Sequence, residues 1–400
     1  MKLDFTSPKN CVWEITQCCN MRCLHCGSYA TGKRQNELTT EEALDLCDQL
    51  GEIGLTYITI SGGEPLLRPD WNLIVERLLL NKVNVSIITN GYFIKENLHK
   101  LIPLRPYMSY VAVSIDGLRD THDYIRQTPG AFDRGLDGLE LLRKLKFATG
   151  VITTVSRWNL HELEKLEIEL MRRKVLHWQV QTVFPGGRMR EHMKQLPYPE
   201  DIIPLAQFII RENKKFKEKK IPIHTFPADS LGYCSSICHN LMPGWQGCQA
   251  GLQAIGIESD GNIKGCLSLS PEIKTEKDPF AEGSIREKRL KEIWENKKGF
   301  LYNRKFDKRK VKGFCRTCEH LERCRCGCSQ AAYFATGNRF ENPYCLYRLE
   351  KEGHNINEPY NVEVIKEKLK DSIEDAMERK REFFGKKGNN INTSHVSRAK

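Results

Sequence analysis

Three cysteines near the start of the chain have the spacing of ligands to an iron–sulfur cluster. Cys19, Cys23 and Cys26 form a C-x3-C-x2-C pattern within eight residues. Three thiolates on one short loop can bind three irons of a [4Fe–4S] cubane and leave the fourth iron open to another ligand. A structural zinc site is the alternative, but it takes four ligands, commonly in C-x2-C pairs. The spacing therefore favours iron.

A second group of cysteines lies far along the chain, where ten of the sixteen fall between residues 234 and 345. Their spacing is C-x12-G-x4-C, then C-x2-C-x5-C-x3-C, then one more cysteine. The members of this pattern are Cys248, Cys266, Cys315, Cys318, Cys324, Cys328 and Cys345. A zinc ribbon over residues 315–328 would leave Cys248 and Cys266 unexplained. In a reducing compartment so many thiols indicate metal ligands rather than disulfides.

The composition is that of a soluble globular chain, with 40% hydrophobic and 28% charged residues. The first ten residues contain no apolar stretch of signal-peptide length, and no run of about 18 apolar residues occurs anywhere. We therefore expect a cytoplasmic protein that neither crosses nor binds a membrane.

The net charge of +11 is concentrated in residues 286–312, which hold twelve Lys or Arg against four acids, and in residues 211–220. Such runs are typical of a solvated surface, or alternatively of a docking face for an acidic partner. Nucleic acid is an unlikely partner because no zinc finger, helix-turn-helix or RNA-binding signature accompanies the charge.

Residues 1–200 alternate between short β-branched or aromatic runs and amphipathic stretches. The predicted strands are 12–16, 57–61, 85–89, 110–115, 151–155 and 178–183. Strands separated by helices predict a parallel α/β array. Six units are too few for a closed eight-stranded barrel, so we expect a partial, open (β/α)6 TIM-like barrel.

The remaining chain is predicted to contain three further regions. Prolines and the charged run make 201–235 a linker. Residues 236–350 form a small loop-rich domain with a β-hairpin over 254–264, whose turn is supplied by Asp260-Gly261. Residues 351–400 form a charged helical stretch followed by a basic tail that we expect to be disordered.

Polar residues and glycines follow the predicted strands, at the edge where the chemistry of a βα barrel is found. Gly62 and Gly63 would permit close backbone approach to a ligand, and Glu64 offers a carboxylate for an ammonium group. Ser114 and Asp116 lie two residues apart at the end of the fourth strand. Each of these motifs alone is common in loops, but their order along consecutive strands predicts that they form one site.

In order and spacing these motifs resemble the radical S-adenosylmethionine (SAM) enzymes over about residues 10–190. The resemblance implies that Cys19, Cys23 and Cys26 hold a [4Fe–4S] cluster, whose open iron is chelated by SAM. One-electron cleavage of SAM would then give a 5′-deoxyadenosyl radical that abstracts hydrogen from a substrate. It further implies a SAM site made by Gly62, Gly63, Glu64, Asn90, Ser114, Asp116 and Arg126.

The C-terminal cysteines resemble the SPASM extension of radical SAM enzymes, which binds two auxiliary [4Fe–4S] clusters. By this resemblance Cys248, Cys266 and Cys328 serve the first auxiliary cluster. The second is served by Cys315, Cys318, Cys324 and Cys345. The first cluster then lacks a fourth ligand, for which Cys238 is our first choice. Cys234, Cys326 and an open iron are the alternatives.

The resemblance to SPASM-bearing enzymes predicts maturation of a ribosomally made precursor peptide by a cross-link or other oxidation at an unactivated carbon. Only 18 residues precede Cys19, so we expect recognition by a separate leader-binding protein or by the catalytic domain itself. An external low-potential donor of the flavodoxin or ferredoxin type would supply electrons.

Three other functions remain open from the sequence. Two are enzymatic, namely formylglycine-type maturation of a target protein and oxidation of tetrapyrrole side chains. The third is a non-catalytic iron–sulfur scaffold or electron carrier. The glycine and Ser-x-Asp-Gly motifs argue against a carrier, because a carrier needs no SAM site.

Overall fold

The computed structural model describes residues 7–228, 231–269 and 278–388. Ten strands belong to one sheet. They are β1 (Asn10–Glu14), β2 (Tyr57–Ser61), β3 (Asn84–Thr89), β4 (Tyr110–Ser114), β5 (Thr149–Val155), β6 (His177–Thr182), β7 (His224–Pro227), β8 (Ala254–Ile257), β9 (Asn262–Lys264) and β10 (Gly283–Ser284).

Helices follow most of the strands in the N-terminal half and dominate the C-terminal part. They are α1 (Thr40–Glu52), α2 (Trp71–Leu80), α3 (Leu98–Leu104), α4 (Arg119–Arg126), α5 (Ala131–Lys144), α6 (Leu163–Arg172), α7 (Ile202–Glu218), α8 (Cys238–Leu241), α9 (Leu290–Glu295), α10 (Leu301–Arg304), α11 (Leu321–Cys324), α12 (Ser329–Thr336), α13 (Leu346–Lys351), α14 (Val362–Lys368) and α15 (Lys370–Gly388).

The strand order is β10-β9-β8-β1-β2-β3-β4-β5-β6-β7. Strands β1 to β7 pair in sequence and all run parallel. Parallel neighbours require a crossover, so their carboxyl ends all lie at one edge of the sheet. The predicted α/β class with a parallel array is confirmed, and the six predicted strands are present.

Local sequence explains why the helices begin where they do and which face they bury. The Thr39 hydroxyl accepts from the Glu42 backbone at 3.3 Å, and the Glu42 carboxylate accepts from the Thr39 backbone at 2.9 Å. This capping box starts α1, as its Thr-x-x-Glu spacing predicts. Apolar side chains of the helices and of the strands then pack into one core, with Trp13 and Trp178 almost fully buried.

The stretch expected as a linker, 201–235, has regular structure. Helix α7 buries Leu205, Phe208 and Ile209 against the sheet, and β7 pairs with β6. The prolines misled the sequence prediction for a physical reason. Pro204 lies in the first turn of α7, where the missing N–H has no intrahelical partner to lose, and Pro227 ends an outer strand.

The predicted hairpin is present and extends the same sheet. Strands β8 and β9 pair antiparallel around the Asp260-Gly261 turn, where Gly261 has a φ of +87°. Strand β8 also pairs in parallel with β1. The cysteine-rich region is therefore joined to the N-terminal sheet through β1, the strand that leads into the first cysteine motif.

The charged stretch near the C-terminus forms α14 and α15, and α15 lies against α4. Phe383 packs edge-on against Tyr124, with ring centroids 5.9 Å apart. The basic tail predicted to be disordered, from residue 389 onward, lies outside the described residues. No helix in the described ranges is long and apolar enough to cross a membrane.

Candidate functional site

The loop after β1 brings Cys19, Cys23 and Cys26 together at the carboxyl edge of the sheet. All three are half-buried. Burial and the neighbouring Cys23 raise the pKa of the Cys19 thiol to about 12. Burial also raises the pKa of Cys23 to about 11, although Arg126 opposes this. Cys23 and Cys26 both act on the Cys19 thiol, so the three thiols lie near one another, and ligation of a metal would require their deprotonation.

The donor set fits a cluster better than a single ion. Among the described residues, no group of three or more His, Cys, Asp or Glu side chains converges tightly enough to hold one metal ion. A cubane binds each thiolate to a different iron, so its ligands lie further apart than those of one zinc ion. The three thiols of this loop are of the donor type that such a cluster takes.

Backbone contacts from the end of β6 hold the cysteine loop in place. The Arg188 guanidinium donates to the carbonyl of Cys23 at 2.8 Å and to that of Ala30 at 3.1 Å. The Arg188 N–H donates to the Cys26 carbonyl at 3.0 Å. Gly187 has a φ of +53°, and a Cβ there would overlap the Cys26 carbonyl oxygen. The chain after β6 therefore packs closely against the cysteine loop after β1.

The glycines after β2 lie directly against the same loop. A Cβ on Gly62 would overlap the carbonyl oxygen of Thr16, and one on Gly63 would overlap that of Cys18. The Gly63 and Glu64 N–H groups donate to these two carbonyls at 2.8 Å. The predicted close backbone approach is therefore made to the cysteine loop itself.

Glu64 is fully buried and connects β2 to β3. Its carboxylate accepts from the Thr89 hydroxyl at 2.7 Å, the Asn90 N–H at 2.7 Å and the Leu66 N–H at 3.1 Å. Burial raises the pKa of Glu64 despite these donors. The side chain of Asn90 in turn donates to Asn20, inside the cysteine motif, at 2.8 Å. In this structure the Glu64 carboxylate positions the strand ends.

Asp116, just after β4, is the centre of a buried ion network. Its carboxylate lies 2.7 Å from Arg126 Nη2 and 3.2 Å from His25 Nε2. It also accepts from the Thr154 N–H, at the end of β5, at 2.9 Å. Burial opposes ionisation, but Arg126 and then His25 hold the pKa of Asp116 well below its usual range. Ser114 ends β4 with a half-buried side chain.

Two histidines of this network were missed from the sequence. His25 lies within the cysteine motif. His122 is fully buried, and its Nδ1 accepts from the Asp116 N–H at 3.0 Å. Burial and Arg126 lower the pKa of His122 to about 3. The i, i+4 spacing of His122 and Arg126 on α4 was a usable signal, since such residues share one helix face.

The first C-terminal cysteine group is assembled from three elements. Burial, and then the thiols of Cys248 and Cys266, raise the pKa of Cys328. Cys248 and Cys266 also pack with Tyr302 and Tyr333 in one apolar cluster. The structure therefore brings together the three cysteines assigned to this site, which lie as many as 80 residues apart in the chain.

The second group surrounds a small cavity of about 20 Å³. Its cysteine lining consists of Cys315, Cys318, Cys324, Cys326 and Cys345. Four of these are the residues assigned to the second cluster. The fifth, Cys326, donates a hydrogen bond that lowers the pKa of Cys315.

The candidates for the fourth ligand of the first group, Cys238 as first choice and Cys234 and Cys326 as alternatives, have their cysteine neighbours in or beside the second group. Cys234 accepts from Arg323 Nη2 at 3.2 Å and from Cys324, whose hydrogen bond lowers the pKa of Cys234. Cys238, at the start of α8, is half-buried. Burial raises the pKa of Cys238, and Cys234 raises it further. Sequence spacing could not separate these positions, because the fold interleaves the two groups.

Two sequence profiles match the chain in the regions that carry these sites. Residues 13–168 match the Radical SAM superfamily, and residues 248–319 match SPASM, an iron–sulfur cluster-binding domain. The first match contains the cysteine loop and the ends of β2 to β5. The second contains Cys248, Cys266, Cys315 and Cys318.

Curated proteins of two kinds are similar along most of the chain. An AdoMet-dependent heme synthase from Methanosarcina barkeri is 33% identical, covering 86% of this chain and 98% of that protein. The mycofactocin maturase MftC from Mycobacterium tuberculosis is 28% identical, covering 83% of this chain and 80% of that one.

Among solved structures, SuiB from Streptococcus suis bound to S-adenosylmethionine superposes with a TM-score of 0.66 at 15% identity, over 84% of this chain and 76% of that chain. A second structure of SuiB, bound to precursor peptide SuiA, has a TM-score of 0.64. At this identity the likeness concerns the fold.

Proposed function

The chain belongs to the radical SAM superfamily as an enzyme with a C-terminal SPASM domain, and we propose that it oxidises a peptide at an unactivated carbon. The observation that carries the SAM-dependent part is the convergence of the three-cysteine loop with the ends of β2, β3 and β4. Buried Glu64 and Asp116 hold this arrangement.

We assign the SAM-binding cluster to Cys19, Cys23 and Cys26. When bound, the cluster and SAM supply a hydrogen-abstracting radical, and auxiliary clusters supply an acceptor for the electron that the oxidised substrate gives up. Around them, Gly62 and Gly63 keep backbone close to the cysteine loop. Asp116, held by Arg126, presents fixed negative charge beside His25. Asn90 and Ser114 complete the proposed SAM site.

We assign two auxiliary clusters to the C-terminal cysteines. Cys248, Cys266 and Cys328 would hold the first. The cavity lined by Cys315, Cys318, Cys324 and Cys345 would hold the second. Three clusters predict about twelve irons per chain after anaerobic reconstitution. A value near four would contradict the auxiliary sites.

A peptide substrate is supported by the charge of residues 286–312 and by the peptide-binding neighbour SuiB. Part of this charge is offset within the protein, because Lys308 pairs with Glu322 and Arg309 with Asp307 at 2.9 Å. Exposed Lys310 and Lys312 add to the positive surface. We propose that this face attracts an acidic precursor peptide, with a separate leader-binding protein as a further partner.

Oxidation of a tetrapyrrole side chain is the second candidate, favoured by one specific observation. The similarity to the heme synthase is 33% and extends over 98% of that protein. A tetrapyrrole carrying propionates is also acidic, so the positive surface does not separate the two substrates.

The two candidates are tested with the reconstituted enzyme, SAM and a low-potential flavodoxin. Iron-coproporphyrin III and the short acidic peptide encoded nearest to the enzyme's gene serve as probes. We expect the peptide to stimulate 5′-deoxyadenosine release and to lose two hydrogens by mass spectrometry. Loss of carbon dioxide from the porphyrin, with no change in the peptide, would establish the tetrapyrrole function instead.

A further inference from the structure

A tyrosine hydroxyl is directed at the first auxiliary cysteine group. Tyr302 lies on the short helix α10, and Phe280 packs edge-on against its ring at 5.6 Å. A Cβ on Gly265, the residue before Cys266, would overlap the Tyr302 hydroxyl oxygen. Burial raises the pKa of this hydroxyl, as do Cys248 and then Cys266, so it remains protonated at neutral pH.

The Tyr302 hydroxyl is shielded from solvent and has no hydrogen-bond partner within the described ranges. A buried O–H without an acceptor is unfavourable, so such a group usually marks a missing acceptor. The acceptors that this hydroxyl could meet are the sulfurs of Cys248 and Cys266, or the atoms that these sulfurs bind.

Arg339 places a buried positive charge beside the same group. The residue is 6% exposed. Its guanidinium donates to the carbonyls of Tyr302 and Arg325 and to the Asn303 side chain, the last at 2.9 Å. All three acceptors are neutral. Its guanidinium lies 5.1 Å from the Phe306 ring centroid and 6.0 Å from that of Phe340, but in the part of the chain that the structure describes its Nε has no acceptor and no carboxylate pairs with it.

An uncompensated buried guanidinium is strongly unfavourable, so an anion is expected nearby. Burial disfavours the charge of Arg339, and a thiolate at Cys248, a ligand assigned to the first group, would favour it. Asn303 fixes this geometry, because its amide also donates to the carbonyls of Cys248 and Ala250, both at 2.8 Å. Hydrogen bonds therefore connect Arg339 to the backbone of Tyr302 and, through Asn303, to the backbone of Cys248.

We propose that Tyr302 and Arg339 are the hydrogen-bond donor and the counter-cation of the first auxiliary cluster, and that together they raise its reduction potential. This inference rests on the proposed assignment of that cluster to Cys248, Cys266 and Cys328. Hydrogen bonds to sulfur and nearby positive charge stabilise the reduced, more negative cluster. A raised potential suits a cluster that accepts an electron from an oxidised substrate.

The test uses the full chain with Cys19, Cys23 and Cys26 replaced by Ala, so that only auxiliary clusters remain. Reconstituted parent, Tyr302→Phe, Arg339→Met and Arg339→Lys are titrated with dithionite and followed by electron paramagnetic resonance, with iron measured in each. Arg316→Met is the matched control, since Arg316 is a solvent-exposed arginine between two other ligands.

We expect Tyr302→Phe to keep the parent's iron content. At the parent's midpoint it should lower the ratio of reduced to oxidised first cluster about tenfold, which is 59 mV for one electron. Arg339→Met should lower the ratio at least as much. Arg339→Lys should keep the ratio within about twofold of the parent, because it retains the buried charge. Arg316→Met should also stay within about twofold, because it removes only a solvated charge.

Unchanged titrations of Tyr302→Phe and Arg339→Met would overturn the inference. If Arg339→Met fails to hold iron, the comparison of Tyr302→Phe with Arg339→Lys decides it. A parent without auxiliary iron would instead refute the proposed cluster assignment, and the inference would fall with it.

Discussion

His25 Nε2 lies 3.2 Å from Asp116 Oδ2, so a residue inside the cysteine motif is tied to the end of the fourth strand. Arg126 binds the same carboxylate from α4 at 2.7 Å. The cysteine loop is therefore attached to the sheet through Asp116. Its position depends on a buried charge supplied from more than 90 residues further along the chain.

Replacing Asp116 with Asn should weaken both the fold and the site. The substitution keeps the size of the side chain but leaves Arg126 buried without its counter-charge, which typically destabilises a protein by about 3–5 kcal/mol. Urea unfolding of the apoprotein measures the loss. Asp120→Asn, an exposed change on α4, the helix that carries Arg126, should cost less than about 0.5 kcal/mol. Equal stability of the two variants would contradict the buried network.

His122 should make the protein less stable in acid. Its pKa is about 3 in the folded protein against about 6.5 when unfolded. As the pH falls from 6.5 towards 3, His122 becomes protonated in the unfolded chain but stays neutral in the folded chain. The free energy of unfolding should fall by up to about 1.4 kcal/mol per pH unit.

The measurement is chemical denaturation of the apoprotein between pH 3 and 7. His122→Asn keeps an acceptor for the Asp116 N–H but cannot titrate, so it should show a shallower pH dependence than the wild type. His354→Asn, at an exposed position, should follow the wild-type curve. A His122→Asn curve parallel to the wild type would show that His122 is not held neutral.

Gly187→Ala should damage the cysteine loop specifically. The φ of +53° disfavours a side chain, and the new Cβ would displace the Cys26 carbonyl. We expect about four fewer irons per chain and at least a tenfold slower release of 5′-deoxyadenosine. The neighbouring Gly186→Ala is the control, because Gly186 has a φ of −103° and the nearest atoms to a new Cβ there belong to the Phe334 ring, at 3.1–3.6 Å, rather than to backbone. Equal iron in both variants would argue against the fitted contact.

Charge reversal at Lys308, Arg309 and Lys310 should weaken binding of an acidic precursor peptide about tenfold and flatten its salt dependence. Fluorescence anisotropy at two ionic strengths measures both effects. The matched control reverses Lys214 and Lys217 on α7 and Lys219 just after it, three exposed cations. If both triple variants lose the same affinity, the effect is one of net charge, and residues 286–312 are not the docking face.

The parallel sheet and the three-cysteine loop could be predicted because they depend on local patterns. Hydrophobic runs set the strands, and the spacing of Cys19, Cys23 and Cys26 is a short-range signal. What the sequence could not reveal depends on long-range packing. The carboxylate of Glu64 hydrogen-bonds to Thr89 of β3, a contact that no periodicity encodes.

The linker expected at 201–235 illustrates the same limit. Proline and charge suggested an irregular segment. The segment is helical because the apolar face of α7 is buried against the sheet. The grouping of the C-terminal cysteines is also tertiary. Cys326 and Cys234 contact members of the second group, whereas the sequence offered them only as ligands of the first.

The central claim is that Cys19, Cys23 and Cys26 hold the centre at which SAM is cleaved. The direct measurement is 5′-deoxyadenosine release under anaerobic conditions, with SAM and dithionite, by reconstituted wild type and by the variant carrying Cys19→Ala, Cys23→Ala and Cys26→Ala. We predict release by the wild type and none by the variant, which should keep about eight irons in its auxiliary sites. Release by the variant at the wild-type rate would contradict the assignment.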